Sequence, residues 1–351
     1  MSANHPTIKE IALRLNVSIS TVSRALHDHP RIGIKTKERV RELAREMKYE
    51  PNAQAIFFKQ QKTAVIGVVL PSIREEFFSQ AISGIEAAAT QYDYTILFGQ
   101  SHDDPAIEKR VIESMKRQRV DGIIIAPSND ASCSALQSLA KESCPIVLID
   151  REIPNLGLDV VQSDNQHDAL RITQHLIALG HRRIGFISGD NRISTSRDRL
   201  YGYRLALDTA GIPFDSSLVC EENPSLALPG YISTQKLCQR SDRPDAIMAI
   251  NAMTAMGVVQ VCNERQLRIP HDIALVSFDD LEYASVLFPF FTVMEQPTTS
   301  MGETAVNRLI LRIQKPDQDI ANIKLSSTFI ERRSCGSLKN EDFFRNHFAF
   351  R

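Results

Sequence analysis

Seven short apolar runs dominate the chain from residue 63 onward: AVIGVVL, YTILFG, DGIIIAP, CPIVLID, RIGFIS, DAIMAIN and IALVSFD. They are apolar at consecutive positions rather than alternate ones, so each must be buried on both faces. Helical stretches such as QAISGIEAAATQ and DALRITQHLIAL separate them. Strands of that kind, joined through helices, form parallel sheets with helices packed on both sides. The rhythm also repeats. VIGVVLPS leads into FFSQAISGIEAA much as RIGFISGD leads into SRDRLYGYRLAL, and DGIIIAP corresponds to DAIMAIN. Two similar halves of this make predict two doubly wound α/β lobes with a cleft between them.

The preceding residues have another character, which their charge displays. The 351-residue chain has a net charge of −1, yet its first 62 residues hold 12 Lys and Arg against 6 Asp and Glu, while the remainder carries 29 against 36. Such asymmetry predicts a small basic module attached to a neutral-to-acidic body. The six cysteines, at 133, 144, 220, 238, 262 and 335, include no C-x-x-C. That spacing predicts free thiols rather than a disulfide framework or a structural zinc site. No apolar run approaches the roughly 18 residues of a membrane span. The opening MSANHPTIKE lacks a charged segment followed by an apolar one, so the expectation is a soluble, cytoplasmic protein with no membrane partner.

Within the basic module, TIKE at residues 7 to 10 is a capping box, Thr7 accepting from the amide of Glu10 and Glu10 reaching back. Ile8, Ile11, Ala12 and Leu15 then share one helical face. Asn16 tolerates a left-handed turn, and Ser18 can cap a second helix running to about Leu26. Val22, Ala25 and Leu26 of that helix face inward, whereas Ile19, Ser20, Ser23 and Arg24 face outward. With a third helix at about Thr36 to Met47, this predicts a small all-α helix-turn-helix head. The short hydroxyl side chains of VSISTVSRAL let a helix N-terminus approach a DNA backbone and donate to phosphates, while Arg24 is long enough to reach a guanine edge.

The stretch TIKEIALRLNVSISTVSRALHDHPRIGIKTKERVRELAREMKYEPNAQA resembles the N-terminal domain of the lactose/galactose repressor (LacI/GalR) family of bacterial transcription regulators, and the resemblance continues to about Cys335. It implies base-reading positions at Ile19, Ser20 and Arg24 and phosphate-contacting ones at Thr7, Ser18 and Thr21. It also implies a hinge in PNAQAIFFKQQKT, with Asn52, Ala55 and Phe58 at the DNA. In relatives a hinge leucine is wedged into the minor groove; this chain has Phe58 there, Phe57 where serine is common and Ile56 where arginine is common. Phenylalanine is a known wedge type, so the mechanism carries over with a different preferred base step; the other reading packs Phe57 and Phe58 against each other or the core. The domain expectation is a head at 1–50, a hinge at 51–62, a core at 63–336 with the fold of periplasmic sugar-binding proteins, and a tail at 337–351 for which the sequence offers no function. The core divides into a first lobe of about 63–162 and 293–323 and a second of about 163–292 and 324–336.

Ligands of doubly wound sheets bind beyond the carboxyl ends of the strands. Asp150 ends PIVLID, Asn251 ends AIMAIN, and Asp279 follows IALVSF. Arg197, after RIGFISGD, offers a planar fork for adjacent hydroxyls, and Phe77 and Phe78 offer ring faces to the apolar side of a sugar or base. The resemblance adds Arg151 and Gln296 to this set. A strand-end aspartate can instead merely cap a turn, and Asp279 is open to that reading. Two departures bear on the ligand: Glu75 and Glu76 stand where relatives often have Asn-Pro, and Ala252 stands where an Asp often follows the strand-end Asn. An additional carboxylate that faces the cleft disfavours an anionic effector.

Other clusters carry less. HDH at 27–29 reads as a solvated loop and HDD at 102–104 as the cap of a helix beginning near Pro105. There is no glycine-rich phosphate loop, nucleophile elbow or Cys/His pairing in the sequence, so the expectation includes no catalytic residue, no metal and no cofactor. The sequence thus predicts a homodimeric transcription regulator, most simply a repressor, that binds a pseudo-palindromic double-stranded operator under the control of a small-molecule effector, a neutral sugar first. A solute receptor without DNA function and a regulator responding to a nucleobase are the alternatives.

Overall fold

The computed structural model describes residues 6–49, 62–142, 144–221, 229–281 and 290–337. Asn52, Ala55, Ile56, Phe57 and Phe58 of the hinge, and the tail beyond Ser337, lie outside the described residues. The chain divides into two compact units, Met1–Thr63 and Ala64–Arg351. No helix among the described residues is long and apolar enough to cross a membrane, and none of the six cysteines is joined in a disulfide.

The first unit holds helices α1 (Ile8–Leu15), α2 (Ile19–Leu26) and α3 (Ile34–Glu46). Both halves of the capping box form: the Glu10 amide donates to Thr7 Oγ1 at 3.4 Å and the Thr7 amide to Glu10 Oε2 at 2.9 Å. Asn16 closes α1 in the left-handed region at φ 51°, where a short polar side chain is tolerated. Ile11, Ala12, Val22, Ala25, Val40 and Ala44 form the buried centre. The third helix starts at Ile34, slightly earlier than its hydroxyl suggested, because Gly33 serves as an N-cap with no side-chain hydrogen bond.

In the second unit, β1 (Val65–Leu70), β2 (Thr95–Gln100), β3 (Gly122–Ile125), β4 (Ile146–Ile149) and β5 (Asp159–Ser163) lie in one sheet. β6 (Ile184–Ser188), β7 (Val219–Glu221), β8 (Ala246–Ala249), β9 (Ala274–Phe278) and β10 (Thr292–Glu295) lie in another. β11 (Asn322–Leu325) then returns to the first sheet and β12 (Thr328–Ile330) to the second, giving orders β11-β5-β4-β3-β1-β2 and β12-β10-β9-β8-β6-β7. Every pairing is parallel except β10 with β12. The lobe boundaries near 293 and 323 are corrected by this pairing: Thr292 and Val293 sit beside Val276 and Ser277 in the second sheet, and the chain returns to the first lobe only with the helix after Gln296. It crosses back after Leu325, not at 324.

That returning helix, α11 (Thr298–Gln314), packs against α4 (Glu76–Gln91) of the first lobe. The two backbones approach so closely that a Cβ on Gly84 would lie 2.1 Å from the Thr299 carbonyl oxygen, and one on Gly302 would lie 2.3 Å from that of Ala81. Only glycine permits such contact. The packing holds the N-terminus of α4, which carries Glu75, Phe77 and Phe78, at the carboxyl ends of the strands.

Candidate functional site

In the head, the hydroxyls of VSISTVSRAL gather around the start of α2. Ser18 Oγ accepts from the Thr21 amide at 3.0 Å and lies 2.7 Å from Ser20 Oγ and 2.8 Å from Thr21 Oγ1. The cluster satisfies an otherwise orphaned helix-end donor, and it leaves an exposed, electropositive helix N-terminus suited to phosphate. Ile19, Ser20 and Arg24 are exposed and Thr21 is half-buried, whereas Val22 and Ala25 are buried. The outward face is therefore the one that the sequence assigned to DNA. Thr7, also exposed, caps α1.

Between the lobes of the second unit lies a cleft of about 1320 Å³. Phe77, Phe78, Asp150, Arg151, Asn251, Asp279 and Gln296 all line it. Asp150 and Asp279 take left-handed backbone conformations, φ 67° and 59°, as the chain turns off β4 and β9. Phe77 and Phe78 meet edge to face with centroids 5.0 Å apart. The Arg151 guanidinium sits over the Phe78 ring at 5.7 Å, and Phe78 is only 2% exposed, so its ring offers a ligand little surface. Arg151 Nη1 donates to Asp103, to the Pro127 carbonyl at 3.1 Å and to the Ser128 carbonyl at 3.3 Å, and its buried Nε has no hydrogen-bond partner. Asn251 is committed in part: its Oδ1 caps α10 (Ala252–Glu264) by accepting from the Thr254 amide at 2.9 Å.

Arg197 requires a correction. It is absent from the cleft lining; its Nη1 pairs with Asp130 Oδ2 at 2.7 Å and donates to the Asn191 carbonyl at 3.1 Å. Asp130 belongs to the first lobe, so this pair bridges the lobes beside the cleft. The arginine of this helix that lines the cleft is Arg199, which is 5% exposed. Its Nε donates to Asn165 Oδ1 at 2.8 Å and its Nη1 to the Ile250 carbonyl at 2.6 Å, with the guanidinium 3.8 Å from the Phe278 ring centroid. On α8 (Ser194–Thr209) a step of two residues turns a side chain to the opposite face. Arg199 shares its face with buried Tyr203 and Ala206, and that i, i+4, i+7 spacing was available in the sequence. Asp103 was also missed. It lines the cleft and accepts from Arg151, 48 residues away, and no local pattern reveals that.

The cleft is rich in acid. Burial pushes the Glu75 carboxyl up to about 7 and the Asp150 carboxyl up to about 6, in both cases against the favourable field of Arg151. Burial also raises Asp279, although Arg199 and a hydrogen bond from Gln296 Nε2 at 2.8 Å hold it back. Gln296 is 5% exposed, and its Oε1 has no partner. The expectation of no Cys/His pairing is corrected, because folding joins residues 160 positions apart. His175 Nε2 lies 3.3 Å from Cys335 Sγ inside the second lobe, where the sulfur also meets Thr292 Oγ1 at 3.1 Å.

Comparison with known proteins places both units. Residues 7–52 match the model described as bacterial regulatory proteins, lacI family, and residues 63–333 match periplasmic binding proteins and sugar binding domain of LacI family. The HTH-type transcriptional regulator DegA of Bacillus subtilis is 33% identical over 84% of this chain and 88% of its own length. A lac repressor dimer bound to operator and the anti-inducer ONPF superposes with a TM-score of 0.83 at 25% identity, over 94% of this chain and 99% of that one. The complex of transcriptional regulator CelR with cellobiose gives a TM-score of 0.71 at 26% identity, over 94% and 99% of the two chains.

Proposed function

This chain belongs to the lacI family of bacterial regulatory proteins, a family of DNA-binding transcription regulators, and from that premise we propose a homodimeric repressor whose operator binding is set by a sugar held between the lobes. The observation that carries the reading is the presence, in one chain, of an outward-facing α2 with Ile19, Ser20 and Arg24 exposed and of a polar, ring-lined cleft in the other unit. Ile19, Ser20 and Arg24 read bases, while Thr7, Ser18 and Thr21 hold phosphates. Asn52, Ala55 and Phe58 serve the hinge, Phe58 as the wedge in the minor groove.

A single small head makes few base contacts, so two heads on a pseudo-palindrome roughly double the contact set. The sugar is favoured by the mixture of acceptors, donors and Phe77 in the cleft and by the cellobiose held by one structural relative. A regulator of the chromosome works in the cytoplasm, and the reading assigns the protein no catalytic role. A head domain shaped for DNA separates it from a solute receptor.

The test is binding to double-stranded DNA from the region upstream of the chain's own coding sequence, against random DNA of equal length. Arg24→Ala should cost about 1–3 kcal/mol on the specific site and relax preference at one base per half-site, with little loss on random DNA. Equal losses on both DNAs would remove Arg24 from the base-reading set, and no preference by the parent protein would remove the repressor reading.

A further inference from the structure

Among the described residues, the carboxylates of the cleft outnumber its cations. Glu75, Asp103, Asp150 and Asp279 interact with one another through their charges, with Arg151 and Arg199 as the buried cations among them. Asp103 is taken up by Arg151, whose Nη1 is otherwise spent on two carbonyls. Arg151 Nε also forms an ion pair with Asp150 at 3.6 Å, too long for a hydrogen bond, so one guanidinium is shared by two carboxylates. Arg199 gives Nε to Asn165 and Nη1 to Ile250. At the rim, Asp190 and Arg192 pair with each other at 2.6 Å, and the exposed Arg74 and Glu221 offset each other in charge, so these four add no net charge. Glu75, Asp150 and Asp279 are left sharing less positive charge than they carry negative. Beside them Gln296, nineteen-twentieths buried, keeps an acceptor oxygen with no donor among the described residues.

We infer that the molecule this cleft takes carries a protonated amine beside its hydroxyls, an aminated sugar rather than a neutral one, with the ammonium on the side of Glu75, Asp150 and Asp279. An ammonium is all donor and no acceptor, which matches a wall of surplus acceptors, Gln296 Oε1 included. A neutral sugar would strip water from three carboxylates without balancing their charge, and a sugar acid or phosphate would add like charge to them. Burial is the first cause of the elevation of Glu75 and Asp150, and the neighbouring carboxylates add to it. The inference rests on the sugar reading of the cleft and narrows it.

The experiment uses the full chain at pH 7.5, with calorimetric titration and thermal shift. The probes are glucosamine, galactosamine and mannosamine, each beside its neutral parent and its N-acetyl form, with hypoxanthine, guanine and adenine as a second set. The expected result is that an aminated sugar binds at least tenfold tighter than both its parent and its N-acetyl form. Glu75→Gln should then cut that preference at least threefold without lowering the unliganded melting temperature. Tighter or equal binding by a neutral or N-acetyl form overturns the amine and leaves the sugar reading standing. Binding confined to the nucleobases, or a response to no probe at all, overturns both.

Discussion

Arg197 and Arg199 stand two residues apart on one helix and do different work, which mutation should expose. Arg199→Met keeps the stem against Phe278 but removes a charged donor, and effector affinity should fall by about 1.5–3 kcal/mol. Arg197→Ala removes a half-exposed ion pair with Asp130 worth no more than about 1 kcal/mol, and should change affinity only a few-fold. Titration calorimetry of the two variants separates them; the reverse order of losses would return Arg197 to the cleft.

Glu75 supplies a pH test. Its folded carboxyl lies near 7, above the ordinary value of 4.5. Between those values the folded chain binds more protons than the unfolded one, so this group's contribution to stability grows as pH falls from 7 toward 4.5 and is lost as pH rises through 7. The core transition of Glu75→Gln should therefore melt about 2–4 °C above the parent at pH 7.5, with the gap closing by pH 4.5. A constant gap would mean that Glu75 is not held neutral by its surroundings. The strand-end acids were legible in the sequence because strand ends are where such folds bind, whereas Gln296 came only from the family resemblance. Arg199 was not legible from its distance to the loop, which it shares with Arg197; only its place on the buried helical face distinguishes it.

The elements divide by how local their causes are. Both N-terminal helices of the head were legible to the residue, since Thr7, Asn16 and Ser18 act within four positions of themselves. Ser18→Ala should lower head stability by about 1 kcal/mol, measured by chemical denaturation followed by circular dichroism, because it removes the centre of a three-hydroxyl cluster. The last crossings of the core were not legible. TVME and NIKL are each four residues long, and a short strand does not declare which sheet it will enter; Val276 and Val160, distant in sequence, decide that. The α4–α11 contact is of the same long-range kind. Gly302→Ala would drive a Cβ against the Ala81 carbonyl, and an overpacking loss of about 1–3 kcal/mol in core stability is expected.

Across the whole molecule, sheet rhythm and internal repetition carried the two-lobe fold, since both follow from runs long enough to be read singly. What they could not carry is the state of the cleft, because its charge balance is assembled from residues 75 to 296 by folding alone. Control of DNA from that cleft requires an effector to bind one arrangement of the lobes more tightly than another. By linkage the same coupling must appear from both sides, operator altering effector affinity by the factor by which effector alters operator affinity. The most direct measurement is fluorescence anisotropy of labelled upstream DNA titrated with the full chain, with and without the sugar that raises its melting temperature, for the parent and Arg199→Met. The expected result is a parent whose operator affinity shifts at least fivefold with sugar, and an Arg199→Met protein that binds operator as the unliganded parent does and ignores the same sugar concentration. A parent whose operator affinity is unmoved by saturating sugar would contradict the control of DNA binding from the cleft.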